Sequence, residues 1–219
     1  MNAPVRQALL QDIARSVLRV SKEEIVRVAI DGVDGAGKTV FADELASVLE
    51  ATGAKVIRAS VDGFHNSASI RYRRGRASPE GFFADSYDYE QLRAALLDPL
   101  SPGGTRRYRT AVFDHRSDSP VCAPEKYADP GSILVFDGIF LHRPELRGYW
   151  DFSIFLEVRF HLSIPRGTRR GEGSADVDAP ENRRYVEGQK IYLRDCEPRK
   201  FATITFNNED LAVPYIEAT

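Results

Sequence analysis

The chain has 219 residues, of which 42% are hydrophobic and 28% are charged, and its formal net charge is −2. These proportions exclude a fibrous or wholly disordered protein, and the near-neutral charge predicts neither nucleic acid nor an anionic membrane as a partner. Two cysteines are too few for a disulfide framework or a zinc site. Because no apolar run reaches the ~18 residues of a membrane span and charges interrupt the N-terminal segment, we expect no span and no signal peptide, and hence a cytoplasmic protein.

Segments typical of strands alternate with segments typical of helices, which predicts one α/β domain over residues 1–219 with a parallel central sheet. Apolar residues at every fourth position predict an N-terminal helix over about 4–19, packed on the core, although a membrane-surface or partner helix has the same pattern. The predicted strands are 25–30, 55–60, 133–136, 153–158 and 201–206. The other predicted helices are 39–51, 89–97 and 181–194. Ligands of such sheets bind beyond the carboxyl ends of the strands.

The segment from Gly32 to Thr39 reads G-V-D-G-A-G-K-T and matches G-x-x-x-x-G-K-[ST] completely. It lies between a predicted strand and a predicted helix, as a phosphate-binding loop requires. Backbone N–H groups and the helix N-terminus would bind phosphate, Lys38 would reach the β- and γ-phosphates, and the Thr39 hydroxyl would bind Mg²⁺. The predicted nucleotide-binding residues are Gly32, Val33, Asp34, Gly35, Ala36, Gly37, Lys38, Thr39 and Val40.

Such a loop works with an acid at the end of a second buried strand. Asp137 directly follows the apolar run 133–136, so we predict that it belongs to the Mg²⁺ shell, through water. The guanine motif of GTPases and the L-S-G-G-Q motif of transporter ATPases are both absent from the sequence. A small kinase with mobile basic loops fits better, and the glycines and arginines after residue 166 predict a lid over about 166–180.

Further segments are S-V-D-G-F-H at 60–65, A-D-S-Y-D at 84–88, F-D-H-R at 113–116 and the strand at 133–140. Together with arginines 166, 169 and 170 they resemble the uridine kinase and phosphoribulokinase group of P-loop kinases. The resemblance runs from about Val26 to Pro214. It implies a three-layer P-loop NTPase fold like that of nucleoside monophosphate kinases, with a flexible arginine-bearing lid, and the use of ATP and Mg²⁺.

The resemblance also implies roles for the matched residues. Asp62 would be the catalytic base, a Mg²⁺-shell residue, or both, and Arg169 and Arg170 would contact the transferring phosphates beside Lys38. The residues implied to bind the acceptor are Asp85, Phe113, His115 and Arg166. Simpler interpretations stay open: Asp62 as a turn cap, Asp85 as a helix N-cap and His115 as a surface residue.

The acceptor is expected to be a small molecule, with uridine or cytidine as the first choice. Pantothenate, a sugar phosphate, or regulation of a partner by a nucleotide-sensing protein are the alternatives, and a homo-oligomer is left open. Asp137 replaces a glutamate of the family and Phe113 replaces a tyrosine. The arginines at 71, 73, 74 and 76 fit either a solvated surface or a site for an anionic substrate.

Overall fold

A six-stranded sheet organises the computed structural model, which describes residues 4–20, 23–168 and 174–217. The strand order is β10-β9-β8-β1-β7-β2, and every neighbouring pair is parallel except β9 with β10. These strands are β1 (Val26–Gly32), β2 (Val56–Ser60), β7 (Ile133–Asp137), β8 (Phe152–Glu157), β9 (Ile204–Asn207) and β10 (Tyr215–Ile216). The parallel α/β sheet predicted from the sequence is therefore confirmed.

Two short hairpin-like pairs lie between β2 and β7. One pairs β3 (Arg107–Tyr108) with β6 (Lys126–Tyr127), and the other pairs β4 (Phe113–Asp114) with β5 (Ser119–Pro120). The helices are α1 (Pro4–Val17), α2 (Lys38–Glu50), α3 (Ala68–Arg71), α4 (Pro79–Asp85), α5 (Tyr89–Leu92), α6 (Phe160–Thr168), α7 (Pro180–Cys196) and α8 (Pro198–Phe201). None of these helices is both long enough and apolar enough to cross a membrane.

Apolar cores cover both faces of the sheet, because the side chains of a strand alternate between its two sides. In β7, Leu134 and Phe136 belong to one core, whereas Ile133 and Val135 belong to the other. The second core includes the buried side of α1 and α2. The N-terminal helix thus packs on the core, as predicted, and its buried Arg6 pairs with Glu44 of α2 at 2.7 Å.

Two predicted elements differ from the structure. The segment predicted as a strand from residue 201 begins as the end of α8, because Pro198 stands at the first turn of a helix, where its missing N–H costs nothing. The predicted helix over 89–97 continues beyond α5 as a π-helical turn, Arg93–Leu97. The segment predicted as a lid begins inside α6, and Arg169 and Arg170 lie outside the described residues.

Candidate active site

The phosphate-binding loop (Gly32–Thr39) connects the end of β1 to the start of α2. Its turn requires left-handed backbone at Gly35 (φ 72°) and Gly37 (φ 92°), a conformation that side chains disfavour. A Cβ at Gly35 would lie 1.9 Å from the carbonyl oxygen of Ser163, so the backbone of α6 passes directly over the loop. Only glycine fits at this position.

Lys38 and Val40 occupy the first turn of α2. The Lys38 ammonium donates a hydrogen bond to the Val33 carbonyl at 2.9 Å, which holds the charge over the loop. The side chain of Val40 is exposed. From α7, Gln189 binds the loop at Asp34, accepting a hydrogen bond from its backbone N–H at 2.6 Å. The loop is therefore tied to a helix that begins 141 residues after it ends.

Asp137 ends β7 beside the loop and is almost fully buried. The Thr39 hydroxyl donates to Asp137 Oδ2 at 2.8 Å, and Arg58 of β2 donates to Asp137 Oδ1 at 3.0 Å. The parallel register explains why Thr39, Arg58 and Asp137 lie close together, because Ile30 of β1 and Ser60 of β2 are both paired with Asp137. The structure thus brings Thr39 and Asp137 together, two of the three side chains proposed from the sequence for Mg²⁺, and Asp62 as a third stays a prediction.

This pair fits a magnesium ion that keeps nucleotide phosphates and water as its other ligands. A hydroxyl and a carboxylate are both oxygen donors, as Mg²⁺ prefers. Within the described ranges, no group of three or more His, Cys, Asp and Glu side chains could hold a metal by itself. Thr39 and Asp137 are therefore the protein's candidates for a shell completed by nucleotide phosphate.

Asp62 lies in a 3-10 turn, Val61–Phe64, which directly follows β2. Its side chain is 65% exposed, and Oδ1 lies 3.7 Å from His65 Nε2. Burial within the surrounding pocket would raise the pKa of Asp62. The contact with His65 and the positive charges of His65, Lys38 and His115 outweigh that effect and lower the pKa below its ordinary value. The carboxylate is therefore ionised at neutral pH, and the Lys38 ammonium is a charged neighbour that favours this state.

A cavity of about 470 Å³ adjoins Asp62 and the loop residue Asp34. His65 and His115 line it with their rings 4.6 Å apart, and the ring of Tyr87 lies 4.5 Å from that of His65. The remaining lining residues are aromatic, basic, aliphatic, small or amide side chains: Arg71, Tyr72, Phe82, Ser86, Ile139, Ser163, Ile164, Gly167, Asn182, Arg184 and Tyr185. We call this the acceptor cavity.

His115 is the one residue of the predicted acceptor set that lines the cavity. Burial and the neighbouring charge of His65 lower its pKa, although the charge of Asp62 acts in the opposite direction. Phe113 is half-buried in β4, outside the cavity lining. Arg166 turns toward the C-terminal segment, where its guanidinium donates to the backbone carbonyls of Asn208 and Glu209.

Asp85 is placed differently from the expectation that it binds acceptor hydroxyls. It ends α4, is 2% exposed, and its carboxylate binds the side chains of Arg73 and Arg74, the latter at 2.8 Å. It is absent from the cavity lining, whereas the next residue, Ser86, is part of it. The alternative interpretation as an N-cap is wrong, since Asp88 caps α5 by accepting from the Gln91 N–H, whereas a role in acceptor binding stays a prediction.

A buried polar cluster behind the loop had no signal in the sequence. Asp31 of β1 is fully buried and accepts hydrogen bonds from the Tyr192 hydroxyl, from His142 Nδ1 at 2.6 Å and from the Gly32 N–H at 2.7 Å. Burial and the Asp31 charge raise the pKa of Tyr192 well above its ordinary value. The cluster joins the end of β1 to α7 and to the segment after β7, because an ionised buried carboxylate needs several donors.

Comparison with known proteins agrees with this architecture. Residues 27–177 match the family Phosphoribulokinase / Uridine kinase. The chain is also 26% identical over 159 residues to a protein of Arabidopsis thaliana named inorganic pyrophosphatase TTM2, covering 72% of this chain but only 21% of that protein. The chain thus spans about a fifth of that relative's length.

Two solved structures share the fold. One is described as a possible uridine kinase from Bacillus stearothermophilus, with a TM-score of 0.71 and 21% identity over 90% of this chain and 96% of the other. The second is D-glycerate 3-kinase from Cryptococcus neoformans, with a TM-score of 0.62 and 12% identity over 95% of this chain and 99% of the other. Both are kinases by name, and they differ in the acceptor that the name implies.

Proposed function

The chain belongs to the phosphoribulokinase / uridine kinase family of P-loop kinases, and we propose that it transfers the γ-phosphoryl group of ATP to a hydroxyl of a small metabolite, with Mg²⁺. The observation that carries this proposal is the meeting of three strand ends at one edge of the sheet. The phosphate-binding loop follows β1, Asp137 ends β7, and Asp62 follows β2. These strands are adjacent in the order β1-β7-β2.

The proposed reaction assigns a role to each group. The acceptor oxygen forms a bond to the γ-phosphorus as the bond between that phosphorus and the β,γ-bridging oxygen breaks, and ADP leaves with the electron pair. Asp62 takes the hydroxyl proton and later releases it to solvent. Lys38 and the backbone N–H groups of the loop stabilise the charge on the phosphates. Thr39 and Asp137 would hold Mg²⁺, which neutralises phosphate charge when it is bound.

Arg169 and Arg170 remain proposed partners of the transferring phosphates on the resemblance alone. Arg166 is proposed to act from the nucleotide side, since its contacts with the segment around Asn208 hold it near the loop. Asn208 itself donates to the Ala36 carbonyl of the loop at 2.7 Å. Cytoplasmic location and the absence of nucleic-acid and membrane partners stay predictions.

Two acceptor classes compete. The resemblance favours uridine or cytidine, and the aromatic lining of the cavity at Tyr72, Phe82 and Tyr87 supports a nucleobase. The second class is a short acid or a sugar phosphate. The pairing of Asp85 with Arg73 and Arg74 supports it, because the two arginines already bind the carboxylate to which ribose hydroxyls would have to donate.

A coupled ADP-release assay tests the proposal. Wild-type protein and the Lys38→Ala variant are compared with ATP, Mg²⁺ and a panel of nucleosides, pantothenate, hydroxy acids and sugar phosphates. We expect at least one acceptor to stimulate ADP release in the wild type only, with the phosphorylated product seen by mass spectrometry. ADP release that no acceptor stimulates would instead support a nucleotide-sensing regulator.

A further inference from the structure

Two arginines stand on the wall of the acceptor cavity, away from the phosphate-binding loop in sequence. Arg71 ends α3 and Arg184 lies in the first part of α7. Only 11% of the Arg71 side chain and 6% of Arg184 are exposed. Burial of a guanidinium is costly unless its charge and its donors are satisfied, so the partners of each arginine indicate what the cavity is built to hold.

Arg184 binds only uncharged acceptors among the described residues. Its guanidinium donates to the backbone carbonyls of Arg71 at 3.1 Å, Gly75 at 3.2 Å and Arg76 at 3.0 Å. It also stacks on the ring of Tyr72 at 4.9 Å. These contacts hold the segment 71–76 against α7, but within the described ranges no carboxylate neutralises the Arg184 charge.

Arg71 has an ionic partner and also a buried donor that lacks a hydrogen bond to the described residues. It pairs with Asp118 at 2.8 Å, and that carboxylate is 41% exposed and also accepts from the N–H of Ala68. The Nε of Arg71 is buried without a hydrogen-bond partner in the part of the chain that the structure describes. A buried, unpartnered N–H of a cation on a cavity wall needs an acceptor from outside the fold.

Neither of the described carboxylates that line the cavity pairs with Arg71 or Arg184. The lining contains two carboxylates, Asp34 and Asp62, and both lie at the phosphoryl end, beside the loop and past β2. Asp85 supplies none, because Arg73 and Arg74 bind it behind the lining. Asp118 neutralises Arg71, so the positive charge left on this wall is that of Arg184, and His65 and His115 add ring nitrogens that can donate to an anion.

We infer that the acceptor is itself an anion, a small hydroxy compound whose carboxylate or phosphate binds Arg71 while its hydroxyl reaches Asp62. The inference rests on the proposed kinase function and names its substrate class. Guanidinium is the side chain best suited to carboxylate and phosphate, because its N–H groups match their oxygens in geometry. Arg184 is a positioning residue, which adds its charge and fixes the segment that carries Arg71.

Matched pairs of acceptors test the inference, because they keep the hydroxyls and remove the charge. The pairs are D-glycerate with glycerol, pantothenate with pantothenol, in which an alcohol replaces the carboxylate, and fructose 6-phosphate with fructose. Uridine and cytidine are assayed in the same experiment. We expect at least one acid or phosphate to be phosphorylated with kcat/KM at least about 100-fold above that of its neutral partner, since each lost charged hydrogen bond weakens binding by about tenfold or more. The pair that shows this difference tells whether the anionic group bound by the protein is a carboxylate or a phosphate.

Variants at Arg71 connect the preference to this side chain. Arg71→Gln should raise KM for the preferred acid about tenfold or more, change KM for the neutral partner much less, and leave the KM for ATP within twofold. Arg71→Lys should restore part of the loss, which a purely structural role would not predict. Arg107→Gln is the control, an exposed arginine paired with Glu125 outside the cavity.

The outcomes separate this inference from the kinase proposal. Phosphorylation of uridine or cytidine, or of the neutral partners as well as the acids, would overturn the inference that the acceptor is an anion. The proposal that the protein is a kinase would still stand. Equal effects of Arg71→Gln on acid and neutral acceptors would also overturn the anionic acceptor. If no compound stimulates ADP release in a wild-type protein that binds ATP, the kinase proposal fails and this inference falls with it.

Discussion

The Thr39 hydroxyl and the Asp137 carboxylate form a hydrogen bond of 2.8 Å across 98 residues of sequence. Arg58 holds the other carboxylate oxygen, so Asp137 is fixed on both sides. Because the two side chains share one proposed ion, their effects should not be independent. Thr39→Val and Asp137→Asn should each raise the Mg²⁺ concentration needed for half-maximal activity by about tenfold, and the double variant should fall well short of the product of the two effects.

A magnesium titration of the wild type, the two single variants and the double variant at saturating ATP measures these shifts. Thr52→Val is the control, because Thr52 lies beyond the end of α2 and its hydroxyl donates to the Leu49 carbonyl of that helix. If Thr39→Val titrates with Mg²⁺ as the wild type does, the hydroxyl serves only to hold Asp137.

Lys38 is predicted to serve the phosphates and not the fold. Its ammonium makes a hydrogen bond to the Val33 carbonyl, and the loop keeps its other tie through Gln189. Lys38→Ala should abolish detectable phosphoryl transfer and change the free energy of unfolding by less than about 1 kcal/mol. Urea denaturation and the coupled assay measure the two effects, with the exposed Lys190→Ala as the control. Wild-type kcat in a folded Lys38→Ala protein would end the kinase proposal.

Local patterns in the sequence were sufficient for the elements around the loop. Apolar runs followed by Gly32 and Asp137 predicted two strands that end at one site, because a run of buried residues and the residue that ends it are adjacent in the chain. The pairing of Asp85 could not be predicted, since its position in α4 does not show that Arg73 and Arg74 fold back onto it.

Long-range polar contacts were also invisible. Asp31 lies 111 residues from His142 and 161 from Tyr192, and no periodicity relates such positions. The short helix α8 was missed for a different reason, because the alternating residues from Phe201 to Phe206 fit a strand as well as the true strand β9 does.

Asp85→Asn separates the two roles considered for Asp85. The carboxylate is buried and its pKa is lowered: burial would raise it, but hydrogen bonds from Arg73 and Arg74 outweigh that effect. Its ion pairs therefore contribute stability above the ordinary pKa of 3.8, and that contribution is lost as the pH falls through the lower folded value. We expect Asp85→Asn to cost about 1–3 kcal/mol at pH 7 and nearly nothing at low pH.

Urea denaturation at both pH values measures this cost, and Asp195→Asn, in an exposed pair with Arg194, is the control. A variant of unchanged stability whose acceptor KM rises more than tenfold would restore Asp85 as the ligand of acceptor hydroxyls.

Tyr192→Phe tests the buried cluster behind the loop. The change removes one donor to Asp31 while the ring, which packs 5.1 Å from that of Phe140, stays in place. Loss of a hydrogen bond to this buried carboxylate should lower the free energy of unfolding by about 1–3 kcal/mol. The exposed Tyr127→Phe is the matched control. Equal stability of the two variants would show that Asp31 does not depend on this hydroxyl.

Asp62 carries the chemical step of the proposed reaction. Asp62→Asn keeps the shape and removes the basicity and the charge, and loss of a general base typically costs 10²–10⁴ in rate. We therefore expect kcat to fall by about that factor in single-turnover assays, while titration with an ATP analogue and Mg²⁺ shows that nucleotide still binds. Asp210→Asn, in the C-terminal loop, is the control. Turnover within about threefold of wild type would make Asp62 a turn residue only.

The pH profile gives a second, independent test of Asp62. Because its pKa lies below the ordinary 3.8, the carboxylate is already ionised at pH 5, and protonation removes the base only at still lower pH. His115 has a lowered pKa as well and is mainly uncharged at pH 7. We expect any loss of kcat between about pH 7 and pH 5 to come from groups other than Asp62, and hence to keep its midpoint in an Asp62→Glu variant that retains a carboxylate. A loss of kcat near neutral pH whose midpoint moves with Asp62→Glu would show that Asp62 titrates near pH 7, and that His65, Lys38 and His115 do not lower its pKa.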